Sequence, residues 1–112
     1  MTEISSTIRR SSAELAILAV LPDRPLHGYE IAKQIERETN GVLTFNFASL
    51  YPMLYGLEKR GWLKGTWETK RPRRARRCYR LTTAGKIRVR SLGRQWQAFF
   101  QAVDRLMGMV RA

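Results

Sequence analysis

The sequence predicts a mainly α fold with a small β-hairpin (α+β), on three observations: helical apolar spacing through its first half, a short two-stranded alternation interrupted by arginines, and a heptad pattern near its end. Each element can be justified in chain order.

Residues 1–10 are polar and Ser/Thr-rich and read as a flexible N-terminal arm. Ser12 is placed to cap a first helix over 13–21, and Pro22-Asp23-Arg24-Pro25 breaks the chain after it. Gly28–Glu38 resumes at helical spacing, with Ile31 and Ile35 on one face, and Asn40-Gly41 ends that helix. Asn46 can cap a third helix in which Leu50, Leu54 and Leu57 recur as a buried stripe. Pro52 is tolerated there if the helix begins around Ala48, close enough for the proline to fall near the first turn.

Gly61 stops the third helix, and 63–68 then alternates with period two, placing Leu63 and Trp67 on one side. The return strand is 77–81, with Tyr79 and Leu81 facing inward, so 69–76 reads as a basic loop at the tip of a hairpin. Thr82 is a cap for a helix over Thr83–Arg111, about 44 Å long at 1.5 Å per residue. Along it Val89, Leu92, Trp96, Phe99, Val103, Leu106 and Val110 alternate spacings of three and four, a seam longer than so small a domain can cover. Such a seam calls for a second copy of the chain.

The 112 residues have room for one compact domain: the arm over 1–10, a winged helix-turn-helix unit over 11–82 and a dimerisation helix over 83–112. Twenty-one Lys and Arg against nine Asp and Glu give a formal charge of +12, which selects polyanionic partners. Arg9 and Arg10 before an apolar run imitate a signal peptide, but Glu14 intrudes and prolines follow, so the run reads as a folded helix in a cytoplasmic protein. No apolar stretch is long enough to span a bilayer. Cys78 is the one cysteine and His27 the one histidine, which excludes an intrachain disulfide and leaves no Cys/His cluster for a structural zinc; no metal or cofactor is called for. No nucleophile–base set and no glycine-rich phosphate loop is present, so an enzyme is not expected; His27 reads as structural at a helix start, and Glu14, Glu30, Glu36, Glu38 and Glu58 as solvated helix faces.

Seven basic residues fall within 70–80, mostly arginines, whose forked guanidinium groups suit phosphate oxygens. Three helices, a hairpin with a cationic tip and a further helix is the order of a winged helix-turn-helix plus long C-terminal helix, a fold that sets one helix in the major groove of duplex DNA. The candidate DNA contacts are Ser49, Tyr51, Tyr55 and Lys59 on the third helix and Lys70, Arg71, Arg73, Arg74, Arg76 and Arg77 on the wing. Tyr51 and Tyr55 have packing as their alternative role, and Lys59 with Arg60 also complements the helix dipole. The candidate dimer residues are Val89, Leu92, Trp96, Phe99, Phe100, Val103 and Leu106, and a flat aromatic ligand between paired Trp96 rings is the alternative to plain packing there. Two competing readings are a nonspecific basic protein for RNA or DNA, disfavoured because Trp67 and Tyr79 are expected in the core, and a peripheral membrane protein using Lys86, Arg88, Arg90 and Arg94.

Three ordered motifs carry a more specific signal: Leu26-His27-Gly28-Tyr29-Glu30-Ile31, then Ser49-Leu50-Tyr51-Pro52-Met53-Leu54-Tyr55-Gly56-Leu57-Glu58-Lys59-Arg60-Gly61-Trp62, then Tyr79-Arg80-Leu81-Thr82-Thr83-Ala84-Gly85. Together they resemble the PadR family of bacterial repressors, closely over 13–85 and onward to the tryptophan-bearing last helix. The resemblance implies homodimers on palindromic operators, with the helix of Ser49 and Tyr51 in the groove, the wing on the backbone and the last helix as dimer interface. It is similar to the shorter subfamily, some members of which bind planar drugs between paired tryptophans at the dimer centre; Trp96 stands where that tryptophan falls. The wing departs from the family in its many arginines, and Cys78 stands where an aromatic residue is frequent.

Overall fold

The computed structural model describes the backbone over residues 6–21, 24–71 and 74–111 and side chains over 12–21, 24–68 and 76–110. The elements run α1 (Ser6–Ala19), β1 (Leu26–His27), α2 (Gly28–Glu38), α3 (Phe47–Lys59), β2 (Leu63–Arg71), β3 (Arg74–Leu81) and α4 (Thr83–Arg111). Apart from β1 this is the predicted order, a winged helix-turn-helix followed by a long helix.

Local side-chain chemistry sets the helix starts. Asn46 Oδ1 accepts the Ser49 N–H at 2.8 Å to open α3, and Thr82 Oγ1 accepts the Gly85 N–H at 3.0 Å to open α4. The Thr82 hydroxyl also donates to the Gly61 carbonyl at 2.6 Å, so this cap ties the start of α4 to the end of α3. Caps of this kind contribute about 1 kcal/mol each. At α2 the His27 N–H donates to Glu30 Oε1 at 2.9 Å, the backward half of a capping box.

The apolar stripes read from the sequence meet in one core. Ile17 and Leu18 of α1, Ile31 and Ile35 of α2, and Leu50, Leu54 and Leu57 of α3 close on Leu63, Tyr79 and Leu81 of the sheet, and Leu92 of α4 completes the cluster. Across the surface of this core Glu14 of α1 accepts from Arg88 of α4 at 2.9 and 3.1 Å and from Arg60 at 3.5 Å, while the Arg88 guanidinium stacks 4.5 Å from the Trp62 ring centroid. Glu14 is therefore a clamp between α1 and α4 and not the solvated helix-face residue its spacing suggested.

The structure departs from expectation in four further places. First, α1 begins at Ser6, ahead of the expected cap at Ser12, so the second half of the predicted arm is helical; residues 1–5 lie outside the described residues. Second, α3 begins at Phe47, which puts Pro52 in the second turn and leaves the Ala48 carbonyl without its i+4 donor; Ala48 is exposed, where water can meet that oxygen. Third, Leu26 and His27 form a short strand that pairs antiparallel with Tyr79 and Cys78, giving the sheet order β1-β3-β2. Fourth, most of 69–76 is strand and not loop, since β2 and β3 continue to an Arg71–Arg74 pair past an irregularity after Glu68.

The length of that hairpin explains the position of Trp67. Cross-strand pairing sets Leu63 opposite Leu81, Gly65 opposite Tyr79 and Trp67 opposite Arg77, so all six share one face. Period two places Trp67 on the core face as predicted, but the hairpin by then has run past the helices. Leu63 is buried and Trp67 is 63% exposed.

Candidate nucleic-acid interface

The exposed surface of α3 is what remains after Leu50, Leu54 and Leu57 turn inward. Ser49, Tyr51, Tyr55 and Lys59 all stand on it, and the Lys59 ammonium lies 5.8 Å from the Tyr55 ring centroid. Tyr51 is held on both sides: its ring stacks in a chain with Phe47 and Tyr29, with centroids 5.9 and 5.8 Å apart, and lies across the buried Gly28. A Cβ on Gly28 would sit 2.7 Å from Tyr51 Cε1, so the glycine of the first motif and the tyrosine of the second are parts of one contact. Tyr51 is nonetheless 46% exposed, and packing and solvent access coexist in this side chain.

Tyr51, the start of α2 and the root of the wing enclose an open cleft of about 420 Å³, lined by His27, Gly28, Tyr29, Glu30, Tyr51, Trp67, Arg76, Arg77 and Tyr79. Two arginines enter it in different states. Arg76 is exposed. Arg77 is half-buried, bonded to Glu58 of α3 at 2.5 Å and stacked between Trp67 and Tyr79, with ring centroids 5.3 and 5.9 Å away. Burial pushes the Tyr79 phenol above its ordinary range, with the Arg77 charge pulling the other way, so this ring is a neutral platform. Lys70, Arg71, Arg73 and Arg74, the remaining wing candidates, lie outside the described residues at the level of their side chains.

Glu58 read as a solvated helix-face residue in the sequence, yet it joins α3 to both wing strands. Its Oε2 accepts from Arg77 and, at 3.3 Å, from the Gly65 N–H, with the carboxylate side chain only 24% exposed. A hydrogen-bonded pair this sheltered is worth more than a surface ion pair. Glu58→Gln is expected to lower unfolding stability by about 1–2 kcal/mol in urea denaturation, whereas Glu36→Gln, on the exposed face of α2, should leave the midpoint nearly unchanged.

The seam on α4 divides into two halves. Leu92 is buried in the chain's own core, and Val89 and Trp96 pack against that core. Phe99, Phe100, Val103 and Leu106 are exposed, as are Met107, Met109 and Val110. Trp96 meets Phe99 edge-on at 5.8 Å and Phe100 at 5.4 Å, so the aromatic cluster marks the boundary between the covered and uncovered halves.

On the opposite face of the sheet, His27 of β1, Glu68 of β2 and Cys78 of β3 converge. Cys78 Sγ lies 3.1 Å from His27 Nδ1 and 3.0 Å from Glu68 Oε2. His27 and Cys78 are 51 positions apart, so no local spacing signals their approach. No helix among the described residues is long and apolar enough to cross a membrane.

Comparison with known proteins agrees with this architecture. An uncharacterised protein of Lysinibacillus sphaericus is 27% identical over 104 residues, covering 93% of this chain and 95% of that protein. A transcriptional regulator from Clostridium thermocellum superimposes with a TM-score of 0.80 at 26% identity, covering 92% of this chain and 97% of its own. A PadR family transcriptional regulator from Eggerthella lenta does so with a TM-score of 0.77 at 26% identity, covering 90% and 86%. The sequence profile of the transcriptional regulator PadR-like family matches residues 17–91, which hold α2, α3, both wing strands and the start of α4, and the chain belongs to that family of transcriptional regulators.

Proposed function

We propose that this regulator is a cytoplasmic repressor that binds a palindromic operator in duplex DNA as a homodimer. The observation that carries the reading is the pairing of an exposed polar helix face, Ser49, Tyr51, Tyr55 and Lys59, with a basic wing across an open cleft. In the dimer, α3 of each protomer enters the major groove, the two copies meeting successive grooves about 34 Å apart. Tyr51 and Ser49 read base edges, while Arg76 and the wing-tip cations Lys70, Arg71, Arg73 and Arg74 hold phosphates. Arg77, already engaged by Glu58, acts by fixing the wing against α3. Phe99, Phe100, Val103 and Leu106 form the dimer face, and Val89 and Leu92 seat α4 on its own domain. Release requires an effector that binds the DNA-incompetent dimer more tightly than the competent one, and we assign the cluster of Trp96, Phe99 and Phe100 to a planar aromatic molecule.

A second reading has one observation in its favour. Trp67 is exposed on the wing and not in the core, and an exposed aromatic beside arginines is what a single-stranded nucleic acid stacks on. One face of that ring is already taken by Arg77, which leaves a single stacking surface.

Fluorescence anisotropy with the chain's own upstream promoter duplex, a scrambled duplex and a single-stranded RNA, across a salt series, separates the two. Preference for the promoter at physiological salt supports the repressor; equal, steeply salt-sensitive affinities for all three support the second reading. Within the first, Tyr51→Ala is expected to cost about 1–3 kcal/mol on the promoter duplex and much less on the scrambled one. Arg76→Ala should weaken both duplexes alike and reduce the salt slope by about 1. Equal losses on both duplexes for Tyr51→Ala would remove its reading role.

A further inference from the structure

We infer that His27, Glu68 and Cys78 form a binding site for one divalent metal ion of the zinc class, with three protein ligands and a fourth position open to solvent. Their donor atoms all lie within 4.8 Å of one another, with the thiol between the imidazole and the carboxylate. One sulfur, one imidazole nitrogen and one carboxylate oxygen is a donor set that suits zinc, and separations near 3 Å are close to those of atoms sharing a single small cation.

The surroundings support the assignment. On this face of the sheet Lys64, Thr66 and Arg80 are exposed, as expected of a surface turned toward solvent. His27, Glu68 and Cys78 break that pattern, the first two half-buried and the cysteine buried. Thiolate and carboxylate together supply two negative charges, the match for a divalent cation, and the Glu30 carboxylate 3.8 Å from the His27 ring adds to the attraction. Binding exchanges the hydrogen bonds of Cys78 for coordination, and the thiol gives up its proton to solvent.

Each ligand comes from a different strand. A bound ion therefore pins β1 to both strands of the wing at the level of Cys78, close to the start of α2, and restrains the wing's root. The proposal does not depend on the DNA-binding reading above, because its test needs no DNA.

Tag-free, fully reduced protein is titrated with cobalt(II), whose bond to a thiolate gives a charge-transfer band in the near ultraviolet, and zinc is then measured by competition with a chromophoric chelator. The expected result is one cobalt per chain with the charge-transfer band, displaced by zinc. Cys78→Ser should abolish the band, and Glu68→Gln and His27→Asn should each weaken binding by at least about tenfold, since even outer partners of a metal site have effects of that size. Asparagine is chosen at position 27 because it is a favoured helix cap and preserves the start of α2. Circular dichroism of each variant establishes that it is folded. Absence of the band in the wild-type protein overturns the proposal, as does cobalt binding that survives Cys78→Ser or is unchanged in both folded variants, Glu68→Gln and His27→Asn.

Discussion

Phe99→Asp combined with Leu106→Asp is expected to yield a monomer by sedimentation and to lower affinity for a two-site operator by about 10²–10⁴-fold, because two tethered half-site contacts become one. Both residues lie in the half of α4 that the protomer leaves uncovered, Phe99 at 52% and Leu106 at 62% exposure. Every described residue from Gln97 onward is exposed, so this half makes no core of its own. A helical segment of that length without packing is marginal in water, which is the physical reason to expect a partner against it. Since neither substitution touches the protomer's core, near-native helicity over residues 13–92 should persist. Trp96 is left in place because it also packs against the core, so its loss would confuse unfolding with dissociation. A double variant that remains dimeric at the same concentration would move the interface to another surface, with α1 the next to test.

The second large effect concerns two glycines of the same helix that should respond with opposite signs. A Cβ at Gly85 would collide with the Trp62 carbonyl oxygen and stand 3.0 Å from its carbon and 3.1 Å from Leu81 Cδ2. That carbonyl is backbone, and it already accepts the Thr82 N–H at 3.1 Å, so it has little freedom to move away. Gly85→Ala must therefore lift the first turn of α4 from the end of α3, a distortion of the overpacking kind expected to cost about 2–3 kcal/mol. At Gly93 a Cβ would meet nothing within 4 Å. Gly93→Ala should stabilise by up to about 1 kcal/mol through helix propensity alone. Urea denaturation of the two variants beside the wild type checks both signs, and a neutral Gly85→Ala would mean that the contact between α4 and Trp62 is looser than described.

Together with the Glu58 and Tyr51 variants, these experiments test a division of labour in which the core positions a helix, a brace holds a wing and an apolar helix end meets a partner. The elements beneath that division were legible in the sequence. Asn46 and Thr82 announced helix starts because capping is a local event between residues three apart. Leu50, Leu54 and Leu57 announced a buried face because helical period turns sequence spacing directly into direction in space. The candidate contacts on α3 followed by subtraction, as the residues that period turns outward.

What sequence could not supply were the facts that depend on where an element stops being covered, or on which distant residues meet. Alternation put Trp67 on the correct face, but only the tertiary structure determines that the hairpin outruns the helices and leaves that face in solvent. Charge spacing made Glu14 and Glu58 look solvated, yet their partners Arg88 and Arg77 stand 74 and 19 positions away and reach them only through the packing of other elements. The same holds for His27 and Cys78, which as a lone histidine and a lone cysteine made no Cys/His cluster in the sequence, and which antiparallel pairing of three strands brings together with Glu68. Local bonds and periodicities are written along the chain and determined the elements, their order and their apolar faces. Long-range approach is the outcome of packing them, and it decided the cleft, the braces and the meeting of His27, Glu68 and Cys78.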